Sequence, residues 1–467
     1  MLALVNTLLA RVRDLEESLK SWREKAEKLE REIQELKGRL AQNSQNSHRP
    51  PSTDPPDKPR PKSLRQESTR PPGGQPGHPG QTLQKVKDPD HTDLHRLSIC
   101  PHCRGRAVES EPAIDYEARQ VFDLPQKLLE VTEHRAEIKC CPECGETVRA
   151  DFPEEVTAPV QYGPRFEGLM VYFNQAQLIP CDRLSQISED IFGQPLSTGT
   201  VVTATTRLYD ELEDFQRALV NLIPQAAVVH ADETGARVAG KGHYLHVAST
   251  VDMTFYGVHA RRGKEATDSF GILGACRQWL VHDCYSFYFS YEQCLHAPCN
   301  QHLLRELQFL WEVQHQTWAK NLSDLLLRLY RRRKERGEFS RRQFQRAHKQ
   351  YLAIVAEGRR LHPPKAGAQS KAANLLDRLE ELDLNILAFL WDERVPFTNN
   401  LAEQDIRMMK VRQKISGCFR TFKGAQIFCR IRSYISTCRK QGVNVWEAIQ
   451  LAVNGRAFIP SAAPGAP

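Results

Sequence analysis

Two kinds of side chain in this sequence are spaced for chemistry. The first are cysteines. Cys100-Pro-His-Cys103 and Cys141-Pro-Glu-Cys144 are Cys-x-x-Cys pairs with 37 residues between them. Two such pairs can surround one zinc ion with four thiolates at about 2.3 Å, and a zinc closed in this way has no open position for catalysis. Cys140 adjoins Cys141 and is an alternative ligand, and free or redox-active thiols are the competing reading. The second kind are carboxylates. Asp232 follows the apolar, β-branched run 226–230, and Asp283 follows the run 278–282, so two predicted strands end in an aspartate. Carboxylates at strand ends of one sheet can converge on a hard cation such as Mg²⁺. Two such ions, about 3.5–4 Å apart, activate an attacking oxygen and stabilise a leaving one in phosphoryl transfer.

That chemistry requires a third carboxylate near phosphate-binding charge. From Arg394 to Lys440 inclusive there are eleven Lys or Arg residues and only two acids, Glu403 and Asp405. Asn399-Asn-Leu-Ala-Glu403 reads as a helix start with Glu403 in an early turn, and the cations Arg407, Lys410, Arg412, Lys414, Arg420 and Lys423 suit DNA phosphates. An ordinary i,i+4 pair between Glu403 and Arg407 explains the same residues without a metal.

The elements that must position these groups follow from periodicity. In residues 1–41, Val5, Val12, Leu19, Ala26, Ile33 and Leu40 repeat every seven residues, and Leu8, Leu15, Trp22, Leu29 and Leu36 repeat three residues on. This is a coiled-coil seam, and Arg11/Glu16, Lys25/Glu30 and Glu32/Lys37 have the spacing of interhelical pairs. Residues 42–98 are polar, basic and rich in Pro and Gly, as in a flexible linker. Within 99–156, the stretches 116–122 and 131–138 are predicted strands of a small zinc ribbon. Residues 157–222 read as helices over 165–173, 183–192 and 201–222, with Gly193 ending the second and Ser197 capping the third, an order shared with helix-turn-helix proteins. Strands are predicted over 226–230, 243–249, 254–259 and 278–282.

Composition narrows the class. The 467 residues carry a net charge of +7 and are 40% hydrophobic, and the apolar runs are too short to span a bilayer. No signal-peptide pattern opens the chain, so secretion and membrane insertion are not expected, and the 13 cysteines read as metal ligands before disulfides.

His230-Ala-Asp-Glu-Thr-Gly235, Asp283-Cys-Tyr285, Pro396-Phe-Thr-Asn-Asn-Leu-Ala-Glu-Gln-Asp-Ile-Arg407 and Lys414-Ile-Ser-Gly-Cys-Phe-Arg420 resemble the catalytic blocks of the insertion-sequence-66 family of DDE transposases. The coiled coil, the Pro-Pro-Ser linker, Gly73-Gly-Gln-Pro-Gly-His78 and the paired Cys-x-x-Cys motifs are similar to that family's N-terminal half, so the resemblance spans about residues 2–455. It implies a multidomain α+β protein with an RNase H-like catalytic core in two parts, 223–295 and 396–455. A helical insertion at 296–395 separates them, and a disordered tail at 456–467 follows. It implies the triad Asp232, Asp283 and Glu403 holding two Mg²⁺ or Mn²⁺ ions, with cleavage and strand transfer at terminal inverted repeats of an element in bacterial cytoplasm. Glu233 and Asp405 are the rivals of the assigned carboxylates. Cys299-Asn-Gln-His302 matches a family block that either helps bind a metal or packs as a helix face. Expected partners are double-stranded DNA, a second copy of the chain through the coiled coil, and accessory transposition proteins. A DNA-binding regulator with an inactive core is the alternative, and a nuclease without strand transfer would use the same metals.

Overall fold

The computed structural model describes residues 2–43, Asn46, 83–364 and 369–461. The linker motifs between 47 and 82 and the last six residues of the tail lie outside the described residues. The chain divides into two compact units, one of them residues 62–156.

Helix α1 runs over Leu2–Leu40, matching the span of the heptad. Leu15, Leu19, Trp22, Leu29, Ile33, Leu36 and Leu40 are all exposed on it, with Trp22 at 69%. The side chains of Val5, Leu8 and Val12 lie outside the described residues.

In the 62–156 unit, strands β1 (Ile138–Cys140) and β2 (Thr147–Arg149) pair antiparallel, with Cys140 opposite Thr147. The expected strands over 116–122 and 131–138 do not form ladders, apart from Ile138 itself. None of their residues is buried, so nothing rewards pairing them. The stretch around Gln120 is instead tied by its side-chain amide to both backbone groups of Val86, at 2.8 Å each.

The other unit builds the sheet and its helices. Helix α2 (Pro164–Val171) starts with Pro at its first turn. Helix α3 (Cys181–Phe192) stops at Gly193, whose φ of 65° is a left-handed cap. Ser197 caps α4 (Thr198–Glu211), its Oγ accepting the Thr200 N–H at 3.0 Å. The sequence predicted one helix from 201 to 222, but the chain breaks at Leu212 and resumes as α5 (Glu213–Leu222).

Strands β3 (Val228–Val238), β4 (Lys241–Ser249) and β5 (Thr254–His259) form antiparallel hairpins. After α6 (Lys264–Ser269), β6 (Trp279–His282) pairs parallel with β3, and β7 (Leu295–Pro298) pairs parallel with β6. The order across the sheet is β5-β4-β3-β6-β7. Two readings change here. Asp232 lies inside β3 rather than at its end, because the strand continues to a two-residue turn at Ala239 and Gly240, both at positive φ. Strand β7, short and with one exposed residue, was not anticipated and straddles the expected boundary at 295/296.

Helices α7 (Asn300–Gln314), α8 (Thr317–Arg336), α9 (Arg341–Leu361), α10 (Lys371–Glu381) and α11 (Asp383–Ile386) follow, all between the second aspartate and the glutamate. Then come α12 (Asn400–Ser416), α13 (Phe422–Lys440) and α14 (Val445–Ala452). The tail does not begin at 456 as expected: Phe458 packs on the core and donates its N–H to the Tyr434 hydroxyl at 3.0 Å.

Strand alternation divides the sheet between three cores. Val229, Ala231 and Leu280 pack with Phe215 and Tyr434 from the helices on one face. On the other, Trp279, Val281 and Ala297 join the core of α7–α10, with Trp318 and Tyr351. Leu245, Val247, Tyr256 and Val258 pack on Ala402, Ile406 and Met409 of α12.

Helix α13 also closes the exposed edge of β5. The N–H groups of Thr254 and Tyr256 donate to Thr437 Oγ1 at 3.1 Å and Ser433 Oγ at 2.9 Å, so two buried donors on the edge strand are satisfied by hydroxyls one helical turn apart. Replacing Thr437 with Val keeps the shape and removes the acceptor. The expected loss is about 1–3 kcal/mol of unfolding free energy, read as a lower urea midpoint with an unchanged slope.

Candidate active site

The parallel pairing of β3 and β6 sets Val228 opposite Trp279 and His230 opposite Val281. Two residues further along, that register brings Asp232 and Asp283 to the same level of neighbouring strands. Asp232 Oδ1 accepts the N–H of Glu233 at 2.9 Å, and Asp283 Oδ1 accepts that of Tyr285 at 3.1 Å. Between Asp283 and Tyr285, Cys284 has φ 67°, a left-handed conformation that costs a residue with a Cβ about 1–2 kcal/mol. Its N–H donates to His282 Nδ1 at 3.2 Å, while Nε2 of His282 faces His296 Nδ1 at 3.1 Å. Burial, and then His296, hold His282 well below the usual imidazole range, so a neutral ring fixes the turn that carries Asp283.

Glu403 arrives on α12, and Asn399 decides where α12 begins. Asn399 is buried. Its side-chain N–H donates to the Ala231 carbonyl at 2.8 Å, and its Oδ1 lies 2.9 Å from His230 Nδ1. Because Oδ1 can only accept, His230 carries its proton on Nδ1. Burial lowers His230 to about 4, so the ring is neutral near pH 7. The Asn399 carbonyl accepts the N–H of Glu403 at 3.2 Å, one turn into the helix. Glu403 is thereby held one helical turn from a residue anchored beside Asp232.

The surrounding charges separate the carboxylates. Glu233 points to the other face of β3, where Arg262 pairs with it at 2.7 Å and the Tyr288 hydroxyl donates to it. Asp405 accepts from Ser249 at 2.6 Å and Thr254 at 3.0 Å, and pairs with Lys440 at 2.9 Å. These two rivals are neutralised within the fold. Among the described residues, Asp232, Asp283 and Glu403 form no ion pair with Lys or Arg. Burial first, then the charges of Glu233 and Asp283 and, more weakly, Glu403, push Asp232 well above the ordinary carboxylate range. Oε1 of Glu403 is buried and receives no hydrogen bond. An all-oxygen donor set with charge that no Lys or Arg neutralises fits a hard divalent cation.

The side chains do not meet in one knot. Among the described residues, only Cys299, His302 and Glu403 bring three metal-donor atoms within 4.8 Å of one another. The three carboxylates are more widely spread than that. The four knuckle sulfurs are likewise not gathered as a set, although each pair closes the same turn. Cys100 N–H donates to Gly105 and Cys141 N–H to Glu146, with Arg104 and Gly145 at positive φ. Backbone N–H groups from Cys103 and His102 lower Cys100, and those from Cys144 and Glu143 lower Cys141. Cys140 directs its thiol to the Gly145 carbonyl instead.

Of the six cations named from sequence, Arg407, Lys410 and Lys414 follow Glu403 at intervals of four, seven and eleven along α12, on the same face. Lys410 is within electrostatic reach of Asp232, and its own burial lowers its pKa. Arg412 lies on another face, 3.9 Å above the Phe419 ring, and Lys423 sits 3.7 Å over Tyr209. Arg420 is exposed beyond the turn at Gly417. Sequence reasoning did not assign roles to Asn399 and His230. An Asn before a predicted helix and a His two residues before Asp232 on a strand were the available signals.

The pattern of the Transposase IS66 family matches residues 159–427, more than half of the chain and inclusive of all three carboxylates. The chain belongs to the IS66 family of transposases. A family of unknown function (DUF6444) matches residues 2–84 of this IS66-family chain. No curated protein matches it.

Two outcomes follow from this transposase's carboxylate geometry. Asn399→Ala strands the Ala231 carbonyl and the His230 N–H in the interior, so unfolding free energy falls by about 1–3 kcal/mol for each group left unpaired. A raised Asp232 binds a proton in the folded chain that the unfolded chain has released, so metal-free stability falls as pH rises above the ordinary carboxylate range. Asp232→Asn removes that fall and raises Tm near pH 7. Millimolar Mg²⁺ raises the Tm of the unaltered chain and not that of the variant, as differential scanning fluorimetry reads directly.

Proposed function

We propose that this chain is a DDE transposase that cleaves the ends of its insertion sequence and joins them to target DNA. One observation carries the reading. Three carboxylates with no Lys or Arg ion pair among the described residues stand at matching levels of β3 and β6 and in the first turn of α12, and that helix carries Arg407, Lys410 and Lys414 on the glutamate's face. The order β5-β4-β3-β6-β7, with β4 antiparallel to both neighbours, supports an RNase H-like core.

Asp232, Asp283 and Glu403 would hold two Mg²⁺ or Mn²⁺ ions. Such ions supply activation of the attacking oxygen and stabilisation of the leaving one. The chain's own part is to bind and orient DNA. Arg407, Lys410 and Lys414 set backbone phosphates against the carboxylates, and Arg420 and Lys423 extend the positive surface. Water attacks at the 3′ end of the element, and the freed 3′-hydroxyl then attacks a target phosphodiester in line. No side chain needs to form a covalent bond with DNA.

The remaining modules fit the same reading. The exposed heptad stripe of α1 supports self-association through a coiled coil. The matching turns at Cys100–Cys103 and Cys141–Cys144 support a structural zinc. Helices α2–α5 would contribute recognition of the terminal repeats, alongside accessory proteins, in bacterial cytoplasm. No helix among the described residues is long and apolar enough to cross a membrane.

The test is cleavage of DNA carrying the sequences that flank this gene. With Mg²⁺ or Mn²⁺, the expected result is nicking at the element's ends. Asp232→Ala is expected to lower its rate by about a thousandfold or more, equivalent to ~4 kcal/mol of barrier. Cleavage that survives in the variant overturns the catalytic assignment. Tight binding by both proteins with no cleavage by either is the result of a regulator.

A further inference from the structure

The first turn of α7 holds a group of donors that the proposed reaction leaves unused. Cys299 is fully buried, and its sulfur accepts the Asn399 N–H at 3.2 Å. The His302 N–H donates to the Cys299 carbonyl at 3.1 Å and closes the first turn.

Neighbouring side chains bring further metal donors to this sulfur. Donor atoms of Cys299, His302 and Glu403 all lie within 4.8 Å of one another. His302 Nε2 is 3.6 Å from Glu403 Oε1, the buried oxygen that receives no hydrogen bond. In a tetrahedral zinc site, with ligands at about 2.0–2.3 Å, neighbouring ligand atoms are about 3.5 Å apart. The imidazole and carboxylate are already at that separation. Sulfur, nitrogen and oxygen together favour a borderline-soft ion over magnesium.

We propose that Cys299, His302 and Glu403 bind a divalent zinc ion, distinct from the four-cysteine zinc and from the hard cations of the catalytic carboxylates. On binding, Cys299 forms a sulfur–zinc bond and releases its thiol proton to solvent. His302 binds as the neutral imidazole. Glu403 gives one oxygen to this ion and keeps the other for the catalytic set. The ion fastens α7 to the start of α12 and fixes the glutamate's rotamer. The inference deepens the reading of Glu403 given above, and it is tested on metal content rather than on cleavage.

The full chain is loaded with zinc and dialysed, and bound zinc per chain is counted by mass spectrometry. Cys299→Ser and His302→Gln each hold one equivalent less than the unaltered chain, while Asp232→Asn holds the same amount. Equal zinc in all four proteins overturns the site whatever the cleavage assay shows. Loss of cleavage with the zinc difference retained counts against the catalytic reading alone. A second measurement keeps Cys299 in place, so it does not depend on how that variant folds. In the full chain with Cys100, Cys103, Cys141 and Cys144 changed to Ser, cobalt gives a thiolate-to-metal charge-transfer band that His302→Gln weakens. Absence of the band overturns the proposal.

Discussion

The placement of the candidate carboxylates depends on one amide side chain. Asn399 joins three elements that are remote in sequence. Its side chain donates to the backbone of β3 at Ala231 and accepts from His230, and its own N–H reaches Cys299 at the start of α7. Only a side chain with a donor and an acceptor side by side can do this. Aspartate would set a carboxylate against the Ala231 carbonyl, and leucine would leave both partners buried and unpaired. The neutrality of His230 is part of the same design, since a charged ring at this depth would cost far more than the bond returns. Because α12 begins at this point, the position of Glu403 follows from Asn399 rather than from any contact of its own with the aspartates.

Charge then determines which carboxylates are left for chemistry. Five acids lie close together in the sequence blocks around the site, and two have dedicated cations: Arg262 for Glu233 and Lys440 for Asp405. The fold could have neutralised the remaining three in the same way, and it does not. Concentrating unpaired carboxylates destabilises the folded chain, as the raised Asp232 indicates. That cost is offset elsewhere, in three hydrophobic cores that grip both faces of one sheet. A site that is unfavourable when empty and relieved by cations binds those cations more tightly for the same reason.

Local structure was legible where it rests on local signals. The cap at Ser197, the stop at Gly193 and the strand 254–259 were legible because each depends on a few adjacent residues. Asp232 and Glu403 were legible as candidates because their types conflict with their surroundings, a carboxylate after an apolar strand and an acid in a basic segment. The strand end assigned at Asp232 was wrong because β3 is extended by its hairpin partner β4, a tertiary contact with no periodic trace beyond Gly235. Strand β7 escaped notice because four residues carry too little pattern. The Asn399–His230 contact spans 169 positions, and no local rule reports it.

The long helical insertion is more than a spacer between the second aspartate and the glutamate. On one face strand β6 has no core of its own: Trp279 and Val281 are buried by α7–α10. The Trp279 ring N–H donates to Asp392 at 2.7 Å, and the Asn300 side chain donates to the Ile386 carbonyl at 3.1 Å. Arg378 of α10 pairs with Glu306 of α7 and is within electrostatic reach of Cys284, next to Asp283. This helical segment therefore buries the strand that leads to Asp283, and through Cys299 it receives the amide that sets the start of the Glu403 helix. These contacts tie the placement of both carboxylates to the packing of α7–α10, so the segment is part of the core it interrupts.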